Sequence, residues 1–594
     1  MNIILTTLNS KYIHSCLSIR YLKAFCRDIA DIHLMEFTIN QSIDYIAGEI
    51  YKKKPYIVGF STYIWNREEI LRVSEILKTV NPDMKIILGG PEVSFDSEDI
   101  LKENWFIDFV VSGEGEIPFR ELLLTILQGD KNFSAVNGLT YRDGERIIKN
   151  PPAKLIQDLD LIPSPYDDMD DLKDKIVYYE SSRGCPFNCQ FCLSSTIKGV
   201  RYFSINRVKE DLTRLIDTKV KQVKFVDRTF NANKQYAMEI MKFIMDKDPD
   251  NMNFHFEVTA HLLDEDMLEF LKEAKPGLFQ FEIGVQSTNE RTIEATGRIT
   301  DFQKLKEVCK KIKSYKNIHQ HLDLIAGLPY EGYDSFKKSF NDVYDIKPEK
   351  IQLGFLKLLK GSGLRRDKDK YGFKFLDLPP YEVLETNYIK YDEMLKLKGI
   401  EDLVERYYNE EYFKNTISYL IKERYDSAFD FFEDLLKFWE YKGYHRISHS
   451  RNNLYEILWE FCNYSKFEEQ DVINEIIKYD YLFNNPNSNV PKFISRYDAD
   501  FIQSYKHDIL KDEDLLNDVL PNYKNVPTKN LIKQVHVEGF KIDVLNFIEN
   551  DYNLHETMFK RTYILFEYKK GIFYNCNAYD ITKYIKGSGY IDVD

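Results

Sequence analysis

Residues 180–195 read ESSRGCPFNCQFCLSS and set three thiols, Cys185, Cys189 and Cys192, within eight positions, the first inside a Gly-Cys-Pro turn. A disulfide would leave one thiol over. A structural zinc takes four ligands, usually as two spaced pairs, and no Cys or His follows Cys192 before His255. Three thiolates on one short loop leave one iron of a four-iron cubane open to an outside ligand, which suits chemistry better than electron transfer alone. The other five cysteines (Cys16, Cys26, Cys309, Cys462, Cys576) are scattered through 594 residues and form no disulfide framework.

Downstream of the thiols, β-rich runs at 175–181, 222–227, 253–260, 278–287, 319–329 and 350–359 alternate with helical patterns. Six βα units in this space predict an open or partial parallel barrel. Upstream, strands at 2–8, 31–39, 56–62, 85–90 and 107–115 alternate with helices near 15–27, 41–52, 67–80, 95–103 and 117–128. That spacing predicts a doubly wound α/β sheet. Residues 138–152 read as a hairpin leading into a linker, and DLDLIPSPYDDM (158–169) marks a boundary. From 381 to about 482 the pattern turns to Tyr/Phe-rich amphipathic helices, 483–492 is a loop, and the tail reads as strands around a turn at Lys570–Gly571. Three domains follow: 1–150, 170–380, and a mostly helical α+β region at 385–594.

The net charge is -14, of which about -11 falls in 381–594 by formal count. Phosphate contacts favour Lys/Arg-rich surfaces, so no broad nucleic-acid footprint is expected. The short basic runs Lys560–Arg561 and Lys569–Lys570 keep a modified tRNA base open as a substrate. MNIILTTLNSKYIHS lacks the pattern of a signal peptide, and no run reaches the ~18–20 apolar residues of a membrane span. A cytoplasmic enzyme is the expectation.

C-x3-C-x2-C with Phe191 before the last Cys, just after the first strand of a βα array, resembles the signature of radical S-adenosylmethionine (SAM) enzymes. The resemblance implies a 4Fe-4S cluster on Cys185, Cys189 and Cys192, with SAM on the fourth iron and cleaved on reduction to a 5'-deoxyadenosyl radical. FVDRTFN (225–231), FEVTA (256–260), EIGVQS (282–287) and DLIAGLP (323–329) are similar to the family's SAM-contacting strand ends. The resemblance thus assigns Phe191, Asp227, Arg228, Glu257, Glu282, Gln286, Ser287, Arg298, Asp323 and Gly327 to SAM, with Gly284 and Gly327 allowing close backbone approach. It also implies a reducing partner such as flavodoxin or ferredoxin.

The front region has neither G-x-G-x-x-G after its first strand nor a P-loop. Its strand-end loops LNSKYIHS (8–15), STYIWN (61–66), GGPEVS (89–94) and SGEGE (112–116) lie where doubly wound sheets place a ligand. GFSTYIWN, LGGPEVS and VSGEGE resemble the cobalamin-binding domain that precedes the radical SAM core in the cobalamin-dependent subclass. The cobalamin candidates are therefore Asn9, Ser10, Tyr12, His14, Ser61, Thr62, Tyr63, Gly89, Gly90, Pro91, Glu92, Gly113, Glu114, Gly115 and Glu116. D-x-H-x-x-G, which supplies a cobalt-ligating His in some such domains, has only DIHLME (31–36) as a near match, so His33 reads as a strand residue. His14 is the candidate lower-face ligand, and binding without a protein His is preferred.

Residues 385–594 resemble a domain of unknown function appended to one group of these proteins. Tyr407, Tyr408 and Tyr412 there could line a cavity, although such stripes more often pack helices. The resemblance implies methylation of an unactivated carbon of a small molecule or modified nucleoside through methylcobalamin. A non-methylating rearrangement, cyclisation or ring contraction is the alternative within the class, and a non-enzymatic iron–sulfur sensor the alternative outside it.

Overall fold

The computed structural model describes residues 1–594 except 168, 487–489, 554, 556–557, 570–574 and 588–594. The chain forms two compact units, one of residues 1–348 and 352–394, the other of 349–351 and 395–594.

The first unit begins with a seven-stranded sheet: β1 (Ile3–Asn9), β2 (Ile32–Thr38), β3 (Ile57–Ser61), β4 (Lys85–Gly89), β5 (Phe109–Val111), β6 (Leu139–Asp143) and β7 (Arg146–Lys149). Their order is β2-β1-β3-β4-β5-β6-β7, so the winding reverses between β1 and β3 and opens a crevice at their C-terminal ends. The first five strands pair in parallel. Helices cover both faces, so the strands are nearly continuous apolar runs. Ile4, Leu8, Val58 and Ile86 enter one apolar cluster, and Ile3, Leu5, Ile57 and Ile87 the other. His33 lies on β2 and is exposed, as a strand residue. The hairpin at 138–152 does more than lead into a linker, because β6 pairs antiparallel with β5 and extends the sheet. Leu139 and Tyr141 bury against Phe109 there, covering what would otherwise be a bare edge.

The second sheet contains β8 (Ile176–Tyr179), β11 (Gln222–Phe225), β12 (Asn253–Val258), β13 (Phe279–Gln286), β14 (His319–Ala326) and β15 (Lys350–Phe355) in chain order. Strands β8, β11, β12, β13 and β14 pair in parallel, giving a partial barrel wall. Between β8 and β11 lies an antiparallel ribbon, β9 (Ser182–Cys185) and β10 (Gly199–Tyr202), which the sequence reading lacks. A short ribbon, β16 (Lys374–Phe375) with β17 (Val383–Glu385), follows the barrel.

The second unit carries helices Lys414–Arg424, Ala428–Lys442, Arg451–Tyr464 and Gln470–Asn484, then a three-stranded antiparallel sheet. Its strands are β18 (Val535–Phe540), β19 (Thr562–Lys569) and β20 (Asn575–Asp580); β18 is absent from the sequence reading. The turn expected at Lys570–Gly571, and with it Lys570 of the basic run, lies outside the described residues. Tyr407 is fully buried against Phe413 and Trp439, and the Tyr412 ring lies under the Arg451 guanidinium. Both are packing roles. Among the described residues no helix is long and apolar enough to cross a membrane.

Candidate active site

Cys185 ends β9, where the ribbon is held close by glycine. Gly184 has φ +105°, and a Cβ there would lie 2.1 Å from the Gly199 carbonyl oxygen. Asp227, at the end of β11, anchors the turn into the ribbon. Its buried carboxylate accepts from the Ser181 N–H (2.9 Å), the Ser181 hydroxyl (2.7 Å) and the Ser182 hydroxyl (2.5 Å). The loop that follows is clamped by backbone bonds, with the Gln190 N–H on the Thr296 carbonyl (2.8 Å) and the Leu364 N–H on the Gln190 carbonyl (2.9 Å). Phe191 packs in the apolar cluster around Leu328, Leu364 and Tyr371.

Burial pushes the Cys189 thiol up, Arg298 opposes this with Nη1 3.8 Å from Sγ, and the charges of Cys192 and Cys185 push it up again. The three thiols therefore feel one another. Among the described residues no group of three His, Cys, Asp or Glu closes on a point fit for a single metal ion. A four-iron cluster takes its thiolates at separate corners, so three sulfurs on one clamped loop with a guanidinium alongside fit that group.

Next to the thiols, alternate residues of β13 are buried and the others share a polar face with neighbouring strands. Glu282 receives Lys224 Nζ (2.9 Å) and faces His255 Nε2 (3.0 Å); these partners outweigh its burial and hold it down at about 2. Toward the C-terminal ends Glu257 is pushed up to about 7 by burial, with Arg228 working against the shift. Asp323 is raised well above the carboxylate range by burial and by the charges of Glu282 and Glu257. Gln286 adopts φ +70° at a bulge and folds back over Gly284, where its Nε2 lies 2.2 Å from the place a Cβ would take. Arg298 donates through Nη2 to the Gly284 carbonyl. Gln286 Oε1, Arg298 Nε and Asp323 Oδ1 are buried without a protein partner. Orphaned buried donors and acceptors around Arg298, whose guanidinium reaches Cys189, fit a compact polar ligand such as SAM.

Besides Asp227, Glu282 and Phe191, whose protein partners are given above, two more SAM candidates are occupied elsewhere. The Ser287 hydroxyl accepts from the Asn289 N–H (2.9 Å) and bonds Glu331. Gly327, φ +88°, packs on Met394, Val383 and Leu356.

Beside the front sheet's switch point, just after β4, Gly90 has φ +109° and a Cβ there would lie 2.4 Å from the carbonyl oxygen of Thr62, which follows β3. The Thr62 N–H bonds the Gly89 carbonyl (2.7 Å), and its buried hydroxyl has no protein partner. Ser61 and Tyr63 share Ser18 (2.8 and 3.2 Å), and Tyr63 stacks on Trp65 with ring centroids 4.5 Å apart. This floor of glycine, hydroxyls and a flat aromatic pair fits a broad planar ligand such as a corrin. Other candidates are already engaged. Asn9 donates to Glu36 Oε2 (2.8 Å) and the His14 carbonyl (3.0 Å). His14 Nδ1 meets the Tyr178 hydroxyl (2.8 Å). Glu92 accepts from Tyr381 with Lys360 3.6 Å away, and Glu114 and Glu116 pair with Arg201 and Arg183. Ser10 is partly exposed, Tyr12 and Pro91 are exposed, and Gly113 (φ +85°) and Gly115 shape the loop before the helix at Glu116.

Residues missing from the sequence reading include Asn66, whose buried Nδ2 ties together Leu8 O (3.0 Å), Ser61 O (3.2 Å) and Thr7 Oγ1 (3.3 Å), and the arginines Arg183 and Arg201. The signal for Asn66 was an Asn at the start of the Arg67–Val80 helix. For the arginines there was no signal, because the ribbon that sets them opposite each other is formed by non-local pairing.

Three family matches divide the chain: B12 binding domain at residues 3–123, Radical SAM superfamily at 179–343, and Protein of unknown function (DUF4080) at 369–566. An uncharacterized methyltransferase of Pyrococcus horikoshii is 31% identical over 325 residues, 53% of this chain and 70% of that protein. A 2-(S-pantetheinyl)-carbapenam-3-carboxylate methyltransferase of Streptantibioticus cattleyicolor is 26% identical over 64% of this chain and 61% of its own. An anaerobic magnesium-protoporphyrin IX monomethyl ester cyclase of Rubrivivax gelatinosus is 27% identical over 55% and 61%. The chain thus spans less than two thirds of the latter two relatives. In fold it is similar to the cobalamin-dependent SAM radical enzyme OxsB, with a TM-score of 0.58, 15% identity, and coverage of 81% of this chain and 80% of that one. The chain belongs to the B12-binding radical SAM enzymes with a C-terminal domain of unknown function, whose cofactors are a 4Fe-4S cluster, SAM and cobalamin.

Proposed function

We propose that the chain methylates an unactivated carbon of a small molecule or modified nucleoside. The observation that carries this reading is the pairing, within one unit, of three clamped thiols beside an orphaned polar strand face with a front sheet floored beside its switch point by Gly90, Thr62 and the Tyr63–Trp65 stack. Two of the relatives carry methyltransferase names. When bound, the cluster with SAM supplies a radical that takes hydrogen from carbon, and cobalamin supplies a methyl carrier.

The chain's own residues bind and orient. Cys185, Cys189 and Cys192 would hold the cluster, with Asp227 fixing the turn that presents Cys185. Arg298 and Gln286, with Nε and Oε1 buried and unpartnered, would hold SAM's carboxylate and amino ends through charge-assisted hydrogen bonds. Glu257, near neutrality at its own midpoint, accepts or donates without carrying a full buried charge.

Cyclisation without methyl transfer is the second reading, favoured by the cyclase relative. The test is anaerobic reconstitution with iron, sulfide and hydroxocobalamin, then reduction with methyl-labelled SAM and the small-molecule fraction of a cell extract. Methylation gives 5'-deoxyadenosine, S-adenosylhomocysteine and label in a product. 5'-Deoxyadenosine together with a rearranged product that carries no label overturns methylation in favour of rearrangement.

A further inference from the structure

Arg183 lies two residues before Cys185 and stands opposite Arg201 in the β9–β10 register. Like charges directly opposite in a ribbon repel. Inside the barrel region, Glu180 answers Arg183, with Oε1 2.9 Å from Nε and 2.7 Å from Nη2. The remaining neutralisation comes from the front sheet, through the loop after β5. Glu116 Oε1 is 2.6 Å from Arg183 Nη2. Glu114 takes Arg201 at both Nη1 (3.1 Å) and Nη2, and its Oε2 lies 3.8 Å from Arg183 Nη1. The Ile156 N–H (3.2 Å) also donates to Glu114, and the Tyr21 ring lies 5.5 Å from the Arg183 guanidinium carbon. The five charged side chains are only 6–13% exposed, so water screens these pairs weakly.

We infer that Glu114 and Glu116 are positioning residues that couple cobalamin occupancy of the front sheet to the order of the ribbon presenting Cys185. The inference rests on cobalamin lying at the C-terminal edge of that sheet, which is bordered by the loop carrying Glu114 and the helix start carrying Glu116. Ordering that loop fixes the carboxylates, and fixed carboxylates hold the two arginines together. By linkage, the cluster must then raise cobalamin affinity by the same factor that cobalamin raises cluster affinity.

The experiment measures the hydroxocobalamin dissociation constant of the full chain by absorbance, before and after cluster reconstitution. In the wild type the cluster should tighten binding by about fivefold or more, and in the Glu114→Gln/Glu116→Gln variant the ratio should fall to near one. The same ratio in both chains overturns the coupling, including the case where the carboxylates touch cobalamin directly and both constants shift together. Hydrogen exchange on the cofactor-free wild type needs no variant to fold: hydroxocobalamin should protect residues 182–202, and an unchanged ribbon overturns the inference. A wild type that binds no hydroxocobalamin in either state overturns the cofactor placement as well.

Discussion

Strand β1 of the front sheet is buried at all seven positions, whereas β13 of the second sheet buries every other one. Both sheets are parallel and built from βα units, yet they use their strands differently. The front sheet is an apolar shelf between two helix layers, and its chemistry lies in the loops beyond the strand ends. The second sheet carries Lys224, His255, Glu257, Glu282 and Asp323 along the strands themselves. Ligand contacts in the first should therefore tolerate strand changes and fail on loop geometry, while in the second the wall itself is reactive.

The largest effect expected from this division is on the thiols. Cys185→Ala, Cys189→Ala or Cys192→Ala should each reduce 5'-deoxyadenosine from reduced, reconstituted protein to background, while hydroxocobalamin still binds, weakened only by the coupling factor above. Loss of cobalamin binding along with the cluster would mean that the two sheets do not act as separate supports. Next comes Gly90→Ala. At φ +109° with the Thr62 carbonyl 2.4 Å from the new Cβ, the loop must shift, at a cost of about 1–3 kcal/mol. Hydroxocobalamin affinity should fall tenfold or more at full iron content, and unchanged affinity would remove the Gly90 loop from the site.

The smallest effect is on the wall. Glu257 keeps its proton to about pH 7 in the folded chain, above the ordinary value of 4.5. The stability lent by that proton is complete below about pH 4.5 and is lost as pH rises through 7. Glu257→Gln should thus gain on the wild type between pH 5 and pH 8, by about 2 °C or more in Tm of the cofactor-free chain. A pH-independent difference would show that Glu257 is not buried as a neutral acid.

Much of the architecture was legible because periodicity is local. The helix Arg67–Val80 falls on its expected span, and the six barrel strands sit within a few residues of theirs. The β9–β10 ribbon was not legible, since SRGC and GVRY are four residues each and meet through Gly184 and Gly199, a contact no local pattern encodes. The pairing of β6 with β5 and the strand β18 were hidden for the same reason. In the site, thiol spacing could be read from sequence. The positive φ of Gln286, the turning of Ser287 toward Glu331, and the engagement of Glu114 and Glu116 with arginines depend on neighbours more than forty residues away or on backbone geometry.

The lock of Lys224 and His255 on Glu282 has a consequence for kinetics. Glu282 stays ionised because its partners hold it near 2, Lys224 stays charged because Glu282 raises it, and burial keeps His255 neutral. This part of the wall therefore holds a constant net charge of zero across the neutral range. Any limb in a rate profile near pH 7 then reports a short roster of groups, with Glu257 first among the protein's own, and its assignment by single substitution becomes a tractable titration.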